Sequence, residues 1–375
     1  MTTLPIVKPQ EINLNPDRLD NAYKLLRKWT TGDKPPIPGA AILVGRRGKI
    51  VEPRFFGKQG PEETAKAIRR DGMFLLASIT KCVTYTGAML LVERGLLNLS
   101  DPVTRYIPDF AAHHKENTLV QHLFTHTSGL PDMAENDLEL RKKHAPLKEF
   151  IKAAINAKPL FPPGTNLSYQ SMGTLTVAEI VQRISGQRIH DFLKKEIFDP
   201  LGMKSSALGS RGLDRERLIR VETPDYQGKS DYGWNGKYWQ ELGAPWGGMF
   251  SAPEDFAKIC QLFLNRGKLG DVRLLSPGAV EAMTTNRLND QPDVPEKIRR
   301  TQPWGLGWRL NHRGTKGSWG DTLGPRTFGH TGATGTTCWM DPDREGYALL
   351  FTTALRSKAP WRLVSLSNAV AAAFV

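Results

Sequence analysis

Apolar residues near the start of the chain predict a helix and a β-hairpin. The helix is predicted within residues 13–32, where apolar side chains recur every three or four positions, at Leu19, Tyr23, Leu26 and Trp29. Residues 39–44 form an unbroken apolar run typical of a buried strand, and the glycines at both ends of residues 45–48 favour a turn. A second strand beginning at Ile50 completes the predicted hairpin.

The middle of the chain has the pattern of helices and loops. A helix is predicted from about residue 78 to residue 94, with Gly95 at its C-terminal end. From residue 101 to residue 300, the alternation typical of strands is scarce, and the clearest helices are predicted at residues 175–184 and 256–264.

The last part of the chain returns to the pattern of strands. Three strands joined by tight turns and then an amphipathic helix are predicted, at residues 326–333, 336–341, 346–354 and 361–374. Strands at both ends of a chain can join one antiparallel sheet, with the terminal helices covering a face.

These elements predict an α/β fold of the α+β type. Its antiparallel sheet is built from N- and C-terminal strands flanked by helices, and a mainly helical lobe lies beside the sheet. The chain is expected to form one discontinuous unit, with residues 1–75 and 301–375 in the α/β lobe and residues 76–300 in the helical lobe. The cleft between the two lobes is the expected place for a site.

The composition is that of a folded protein rather than a disordered one. Of the 375 residues, 39% are hydrophobic and 24% are charged, as in globular proteins. The net charge is +13, but the basic residues are scattered and not interleaved with aromatic residues, so no nucleic-acid partner is predicted. The apolar stretches are too short to span a bilayer, so no membrane span is predicted.

Cysteines and histidines give no pattern of a metal centre. The three cysteines are an odd number without a Cys-x-x-Cys pair, and the four histidines between residues 113 and 126 lack the spacing of a zinc site. No metal and no organic cofactor are predicted. Residues 1–9 lack the apolar segment of a signal peptide, so a cytoplasmic location is predicted. The sequence makes no prediction of oligomeric state.

Ser78 and Lys81 are the first candidates for catalysis. They lie three residues apart on a predicted helix, so the hydroxyl and the amine share one face. A serine hydroxyl needs a base to become a nucleophile, and a lysine whose pKa is lowered by burial can serve. The backbone N–H of Ser78, at the predicted start of the helix, can face a developing oxyanion.

Two later segments carry further candidates. Tyr169 and Ser171 follow a Pro-Pro-Gly turn, and a tyrosine can transfer a proton when a nearby ammonium stabilises its phenolate. Residues 330–333 read His-Thr-Gly-Ala on a predicted strand, where the glycine permits close approach of a ligand. The backbone N–H of Ala333 is then a candidate second oxyanion donor. Each segment alone also fits ordinary packing.

The order of these three segments resembles that of the serine β-lactamase and penicillin-binding-protein superfamily. Within it, the chain is similar to the class C β-lactamase group, which includes D-alanyl-D-alanine carboxypeptidases and family VIII esterases. Further segments resemble those that recur in this group, and they cover most of the chain, at residues 37–39, 95–103, 122–130, 162–164, 201–203 and 247–251.

The resemblance implies a role for each candidate residue. Ser78 attacks a carbonyl and becomes acylated, while Lys81 and Tyr169 share the removal of its proton and the protonation of the leaving group. The backbone N–H groups of Ser78 and Ala333 form the oxyanion hole. The remaining positions that match the motifs bind substrate, namely Ser171, His330, Thr331 and Gly332.

Two departures from the group bear on the substrate. Ser171 stands where the tyrosine motif usually ends in Asn, and a hydroxyl makes fewer hydrogen bonds than an amide. His330 stands where class C β-lactamases carry Lys, and an imidazole is mostly neutral at pH 7. The second change favours neutral esters over β-lactam carboxylates, although His also occurs at this position in some peptidases of the superfamily.

The sequence therefore predicts a serine hydrolase that forms an acyl-enzyme on a small-molecule ester, amide or β-lactam. A carboxylesterase is the favoured class, and a β-lactamase or D-Ala-D-Ala-type peptidase is the alternative. A non-catalytic penicillin-binding sensor or binding protein is the alternative of another class. Five tryptophans are candidates for an acyl pocket or for ordinary packing, namely Trp234, Trp239, Trp246, Trp304 and Trp308.

Overall fold

The computed structural model describes residues 2–228, 230–312 and 319–375. The helices in these residues, α1 to α12 in chain order, are Pro16–Thr30, Thr80–Glu93, Val120–Phe124, Asp137–Lys142, Leu147–Ile155, Ser171–Ser185, Ile189–Leu193, Lys237–Leu242, Pro253–Leu264, Pro277–Thr284, Glu296–Thr301 and Trp361–Ala371. The strands, β1 to β13, are Ile6–Val7, Gly39–Arg46, Lys49–Val51, Arg54–Gly57, Phe74–Leu75, Ser206–Leu208, Met249–Ser251, Lys268–Leu269, Val272–Arg273, Arg309–Leu310, Phe328–Thr331, Thr336–Asp341 and Gly346–Thr352.

The main sheet is built from both ends of the chain, as predicted. Among the described residues, eight strands form it in the order β1-β3-β2-β13-β12-β11-β10, with β4 also paired to β2. The sheet is mixed rather than wholly antiparallel, because β1 pairs with β3 in parallel. The sequence pattern does not reveal β1, since a strand of two residues shows no alternation.

The central strands β2 and β13 separate two hydrophobic cores. Leu43 and Leu349 are register partners on one face and belong to the core that includes α2 and α9. Ile42 and Leu350 are register partners on the opposite face and pack with α1 and α12. Because successive side chains of a strand point to opposite faces, a strand covered on both sides reads as a continuous apolar run.

The predicted helices are present, with ends that differ by a few residues. The helix predicted at residues 13–32 is α1, which begins after Asn15, whose side chain accepts a hydrogen bond from the Arg18 backbone N–H at 3.0 Å. The helix predicted from residue 78 is α2, and it begins at Thr80. Ser78 lies just before it, in the 3₁₀ turn Ala77–Ile79.

The middle of the chain is mostly helix and loop, as predicted, but short strands that the pattern did not predict lie within it or next to it. Strands β5, β6 and β7 form a second sheet in the order β5-β7-β6, and β8 pairs with β9 in a small hairpin. Each of these strands is two or three residues long. So few positions cannot display a period of two, and tertiary contacts rather than local pattern create these strands.

The strand predicted at residues 326–333 ends earlier than expected. It is β11, Phe328–Thr331, and a turn follows in which the Gly335 N–H donates to the Gly332 carbonyl at 3.1 Å. Gly335 has a φ of 89°, in the region that favours glycine. His330 therefore lies on the strand, whereas Ala333 lies in the turn beyond it.

Candidate active site

Ser78 lies in a short segment fixed by strands on two sides. The Leu76 N–H donates to the Met249 carbonyl at 2.9 Å, which ties the segment to β7. The hydroxyl of Thr336, at the start of β12, donates to the Leu76 carbonyl at 3.0 Å. Ala77 has a φ of 48°, an uncommon backbone conformation for a residue with a side chain. The main sheet and the second sheet together hold the residue before Ser78 in this conformation.

Lys81 meets Ser78 from within the protein core. Its side chain is 1% exposed, and its Nζ atom lies 3.3 Å from the Oγ atom of Ser78 and 2.9 Å from the carbonyl oxygen of Trp246. Burial lowers the pKa of Lys81 to about 8, while the negative charge of Asp132 opposes this shift. Because the pKa is close to neutral pH, the amine can lose its proton under ordinary conditions.

Tyr169 joins this pair from a distant part of the chain. Its ring centroid lies 4.8 Å from the Lys81 Nζ atom, 4.7 Å from the His126 ring centroid and 6.0 Å from that of His330. The buried Tyr169 hydroxyl makes no hydrogen bond of normal geometry with any described residue. Burial raises the pKa of Tyr169 well above 10, and the facing Ser78 side chain lowers it to a smaller extent. At neutral pH, Tyr169 is therefore a protonated phenol beside Ser78.

His330 is neutral at physiological pH. Burial, assisted by the positive charge of Lys81, lowers the pKa of His330 to about 3. Its Nδ1 atom lies 2.8 Å from the Thr331 carbonyl oxygen, and a carbonyl only accepts, so Nδ1 carries the hydrogen. The Nε2 atom is then an acceptor, and it is buried without a partner among the described residues.

Gly332 allows the turn after β11 to touch the segment that carries Ser78. A Cβ atom at this position would lie 2.4 Å from the Leu76 carbonyl oxygen and 2.2 Å from the Thr336 hydroxyl oxygen. Any larger residue would therefore push the two segments apart. Within the described residues, the backbone N–H of Ala333, the next residue, forms no hydrogen bond, so it is free to meet a ligand.

A cavity of about 670 Å³ brings most of the predicted site residues together. Those that line it are Ser78, Tyr169, His330, Thr331, Gly332 and Ala333. Lys81 lies beneath Ser78 rather than at the surface of the cavity. Of the five candidate tryptophans, Trp234 and Trp304 line the cavity, whereas the other three are packed in the core.

Ser171 lies next to the cavity but does not line it. Its hydroxyl donates to the Oδ1 atom of Asp132 at 2.7 Å, and its backbone N–H donates to the same atom at 2.9 Å. Asp132 itself lines the cavity and is exposed. No local pattern in the sequence indicates this pairing, since the two residues are 39 positions apart. Ser171 was predicted to contact the substrate, but Asp132 is the member of this pair that lines the cavity.

Two arginines that were not predicted also line the cavity. Arg309 lies on β10, and Arg356 follows β13. Neither guanidinium is in a hydrogen bond or ion pair with any residue in the described parts of the chain. Burial lowers the pKa of both, and the Arg356 charge further lowers that of Arg309. The cavity therefore presents two positive charges that no described residue neutralises through an ion pair. No local motif marks them among 51 basic residues.

The residues described contain neither a cluster of side chains that could hold a metal ion nor a helix that could span a membrane. Within residues 2–228, 230–312 and 319–375, no three His, Cys, Asp or Glu side chains are close enough to hold a metal ion. His122 and His126 instead accept backbone hydrogen bonds through Nδ1, from Leu119 and Gln170 respectively, both at 3.2 Å. None of the described helices combines the length and apolar character that crossing a bilayer requires.

The fold and the cavity define the class of protein as a serine hydrolase of the β-lactamase and penicillin-binding-protein type. The Beta-lactamase family profile matches residues 29–372. The chain belongs to the Beta-lactamase family.

Individual relatives agree with this assignment. A putative D-alanyl-D-alanine carboxypeptidase from Escherichia coli O157:H7 is 25% identical over 376 residues, which cover 89% of this chain and 82% of the relative. Two solved structures share the fold, each with a TM-score of 0.77. A penicillin-binding-protein homologue from Caulobacter crescentus is 21% identical, with 96% of this chain and 98% of that chain covered. EstCE1, a hydrolase with promiscuous acyltransferase activity, is 17% identical, with 94% of this chain and 98% of that chain covered.

Proposed function

We propose that this protein hydrolyses carboxylic esters through an acyl-enzyme formed on Ser78. The observation that carries the proposal is the 3.3 Å separation between the Lys81 Nζ and Ser78 Oγ atoms, combined with a Lys81 pKa lowered to about 8. At pH 7 about one tenth of such an amine is neutral and able to accept a proton. Activation by an adjacent base is what turns a serine hydroxyl into a nucleophile.

In the first half of the reaction, neutral Lys81 accepts the Ser78 proton as Oγ attacks the ester carbonyl. The amine continues to donate one hydrogen bond to the Trp246 carbonyl, and this bond fixes the orientation of the amine. The oxyanion that forms faces the backbone N–H groups of Ser78 and Ala333. The leaving alkoxide takes a proton through the Tyr169 hydroxyl, which Lys81 then reprotonates. The raised pKa of Tyr169 supports a role as proton donor rather than as resting-state base.

In the second half, water hydrolyses the acyl-enzyme. The same groups act in the opposite direction, because the water occupies the place that the alcohol has left. Tyr169 and Lys81 take the proton of the water, and Ser78 recovers its own proton when the carboxylic acid leaves. No metal or organic cofactor has a role in this sequence of steps.

The neutral state of His330 supports an ester as the substrate. A neutral imidazole, with a pKa lowered to about 3, stands where class C β-lactamases carry lysine. It offers a substrate carboxylate no positive charge, but its free Nε2 atom can accept a hydrogen bond.

Arg309 and Arg356, which have no ion pair with any residue that the structure describes, favour a second candidate, a peptidase or β-lactamase acting on a substrate with a carboxylate. Two guanidinium groups in one cavity are suited to hold an anion. The relative named as a putative D-alanyl-D-alanine carboxypeptidase supports this candidate. In this case, the arginines would take over the role that the missing lysine has in class C β-lactamases.

Burst kinetics with p-nitrophenyl butyrate test the proposal. We expect a burst of p-nitrophenol equal to the enzyme concentration, followed by steady turnover. A burst without turnover would instead indicate the non-catalytic sensor. Nitrocefin hydrolysis that equals or exceeds ester hydrolysis would favour the β-lactamase, and release of D-alanine from a peptide ending in D-Ala-D-Ala would favour the peptidase.

Labelling with a fluorophosphonate and mass spectrometry identifies the nucleophile. We expect the label on Ser78, and we expect Ser78→Ala to lose both label and turnover while remaining folded. Ser357 is a matched control, because it lines the same cavity and is exposed. The variant Ser357→Ala should keep both label and turnover. Unchanged ester hydrolysis by Ser78→Ala would refute the proposal.

A further inference from the structure

Asp132 is held against the cavity by the first two residues of α6. One carboxylate oxygen, Oδ1, accepts hydrogen bonds from the Ser171 N–H at 2.9 Å and from the Ser171 hydroxyl at 2.7 Å. The Asp132 backbone carbonyl also accepts from the N–H groups of Ser171 and Met172, at 3.0 and 3.2 Å. These bonds leave the carboxylate little freedom, so its position in the cavity is set before a ligand binds.

The second oxygen, Oδ2, has no partner within residues 2–228, 230–312 and 319–375. It forms no hydrogen bond and no ion pair with any of the residues described, although the side chain lines the cavity next to Ser78 and Tyr169. The ammonium of Lys81 does not pair with it, since that group contacts Ser78 and Trp246. A carboxylate oxygen is an acceptor only, so Oδ2 is complementary to a ligand that brings a hydrogen-bond donor.

The Asp132 carboxylate lies close enough to the reacting groups to select which chemical group of the substrate binds next to the scissile bond. Its charge raises the pKa of both Lys81 and Tyr169, so its field reaches the pair beside Ser78. The opposite charges in the cavity, those of Arg309 and Arg356, lower the pKa of His330, and both arginines also interact electrostatically with Tyr169. The cavity therefore has a negative side next to Ser171 and a positive side next to β11.

We propose that Oδ2 of Asp132 forms a cation subsite that binds an ammonium group carried by the acyl part of the substrate, near its scissile carbonyl. This inference rests on the proposed hydrolysis of esters at Ser78 and narrows the substrate class to aminoacyl esters. Where the related motif has an asparagine, the Ser171–Asp132 pair presents a carboxylate to the cavity. An amide can bind a donor or an acceptor, whereas the carboxylate accepts from donors alone.

A matched set of benzyl esters tests the subsite. Benzyl esters of L- and D-alanine carry an ammonium on the carbon next to the carbonyl, and benzyl isobutyrate has a methyl group in its place. We expect kcat/KM for the better alanine enantiomer to exceed that for benzyl isobutyrate by about 10- to 100-fold, as expected for a hydrogen bond between charged groups. The benzyl ester of N-acetylalanine, which keeps an N–H but has no charge, should fall between them.

The variant Asp132→Asn isolates the contribution of the charge. Its amide oxygen can still accept both bonds from Ser171, while the NH₂ group that replaces Oδ2 is a donor and does not attract an ammonium. We expect the alanine-to-isobutyrate ratio of kcat/KM to fall about 10-fold or more, chiefly through KM for the alanine ester. Glu135→Gln is the matched control, because it removes an exposed carboxylate of the same loop that does not line the cavity. This control should keep the wild-type ratio.

The outcomes separate the subsite from the proposed function. An unchanged ratio in Asp132→Asn, or equal hydrolysis of both esters by the wild type, overturns the subsite and leaves the esterase in place. An equal loss on both esters means that Asp132 only anchors its loop, which also overturns the subsite. If the wild type hydrolyses neither ester and takes no fluorophosphonate at Ser78, the proposed function fails as well.

Discussion

The Nζ atom of Lys81 lies 3.3 Å from the Oγ atom of Ser78, and the Trp246 carbonyl holds the same amine at 2.9 Å. The two residues are one helical turn apart, but the turn around Ser78 is 3₁₀ and its preceding residue has a positive φ. This arrangement leaves the amine buried below the hydroxyl. Burial favours the neutral form of this amine, because water does not solvate the charged form.

The first prediction concerns pH. Burial lowers the pKa of Lys81 from 10.5 to about 8, and the amine acts as a base only when it is neutral. We therefore expect kcat/KM for p-nitrophenyl butyrate to rise with pH up to about 8 and then to level off. Stopped-flow rates read at the isosbestic wavelength of p-nitrophenol measure this profile. A flat profile between pH 6 and 9 would contradict Lys81 as the base.

The pH profile of the variant Asp132→Asn is a second test of the Lys81 pKa. The Asp132 charge raises the pKa of Lys81, so its removal should lower that pKa further. The midpoint of the pH profile should then move to lower pH. An unchanged midpoint would show that the charge of Asp132 does not act on the amine.

The second prediction separates catalysis from stability at Tyr169. We expect Tyr169→Phe to lower kcat by about 10²- to 10⁴-fold, the range typical of a lost acid–base group. The hydroxyl is buried and has no hydrogen bond of normal geometry with the described residues, so its removal should change the free energy of unfolding by less than about 1 kcal/mol. Ester kinetics and urea denaturation measure the two effects.

Tyr85 is the matched control for this prediction. Its buried hydroxyl donates to the Leu123 carbonyl at 2.9 Å and lies 2.8 Å from the Thr174 hydroxyl. Tyr85→Phe should therefore destabilise the protein by about 1–3 kcal/mol and keep kcat near the wild-type value. If Tyr169→Phe instead lost stability and retained kcat, Tyr169 would have a role in packing alone.

The third prediction concerns the contact of Gly332 with the Ser78 segment. In Gly332→Ala, the new Cβ would lie within 2.4 Å of the Leu76 carbonyl oxygen, so the turn that carries Ala333 must move. A displacement of about 1 Å between reacting groups can cost roughly 100-fold in rate, and we expect a loss of this size. Burst and steady-state kinetics would show the loss in acylation.

Gly278 is the matched control for this substitution. It lies in the first turn of α10, where a Cβ would meet nothing nearer than the Ser276 hydroxyl oxygen at 3.9 Å. Gly278→Ala should keep the activity and stabilise the protein by roughly 0.5 kcal/mol, since alanine favours a helix. Full activity of Gly332→Ala would mean that the position of Ala333 does not matter for the reaction.

The fourth prediction decides between neutral and anionic substrates. We expect Arg309→Ala and Arg356→Ala to raise KM about 10- to 100-fold for substrates with a carboxylate, and to change KM for p-nitrophenyl butyrate little. Neither arginine has an ion pair to lose among the described residues, so both variants should remain folded. The exposed Arg105, which does not line the cavity, gives the control Arg105→Ala. Equal effects on both substrate classes would argue against a carboxylate site.

Local sequence pattern was enough to predict the elements with many positions. The unbroken apolar run of β2 and the spaced apolar residues of α1 each contain at least eight residues, and both elements formed where expected. The pattern did not predict β1 or the second sheet, because strands of two or three residues contain too little information. The division into lobes at residues 75/76 and 300/301 stays a prediction.

The sequence by itself determined the spacing of Ser78 and Lys81, the continuous apolar strands at the two ends, and the order of the three motifs. These properties depend on neighbouring residues and on a regular period. Only the tertiary structure decided that Ser171 pairs with Asp132, that Arg309 and Arg356 line one cavity, and that Tyr169 lies beside Lys81. Such contacts join residues far apart in the chain, and their formation depends on how whole elements pack, which no local pattern encodes.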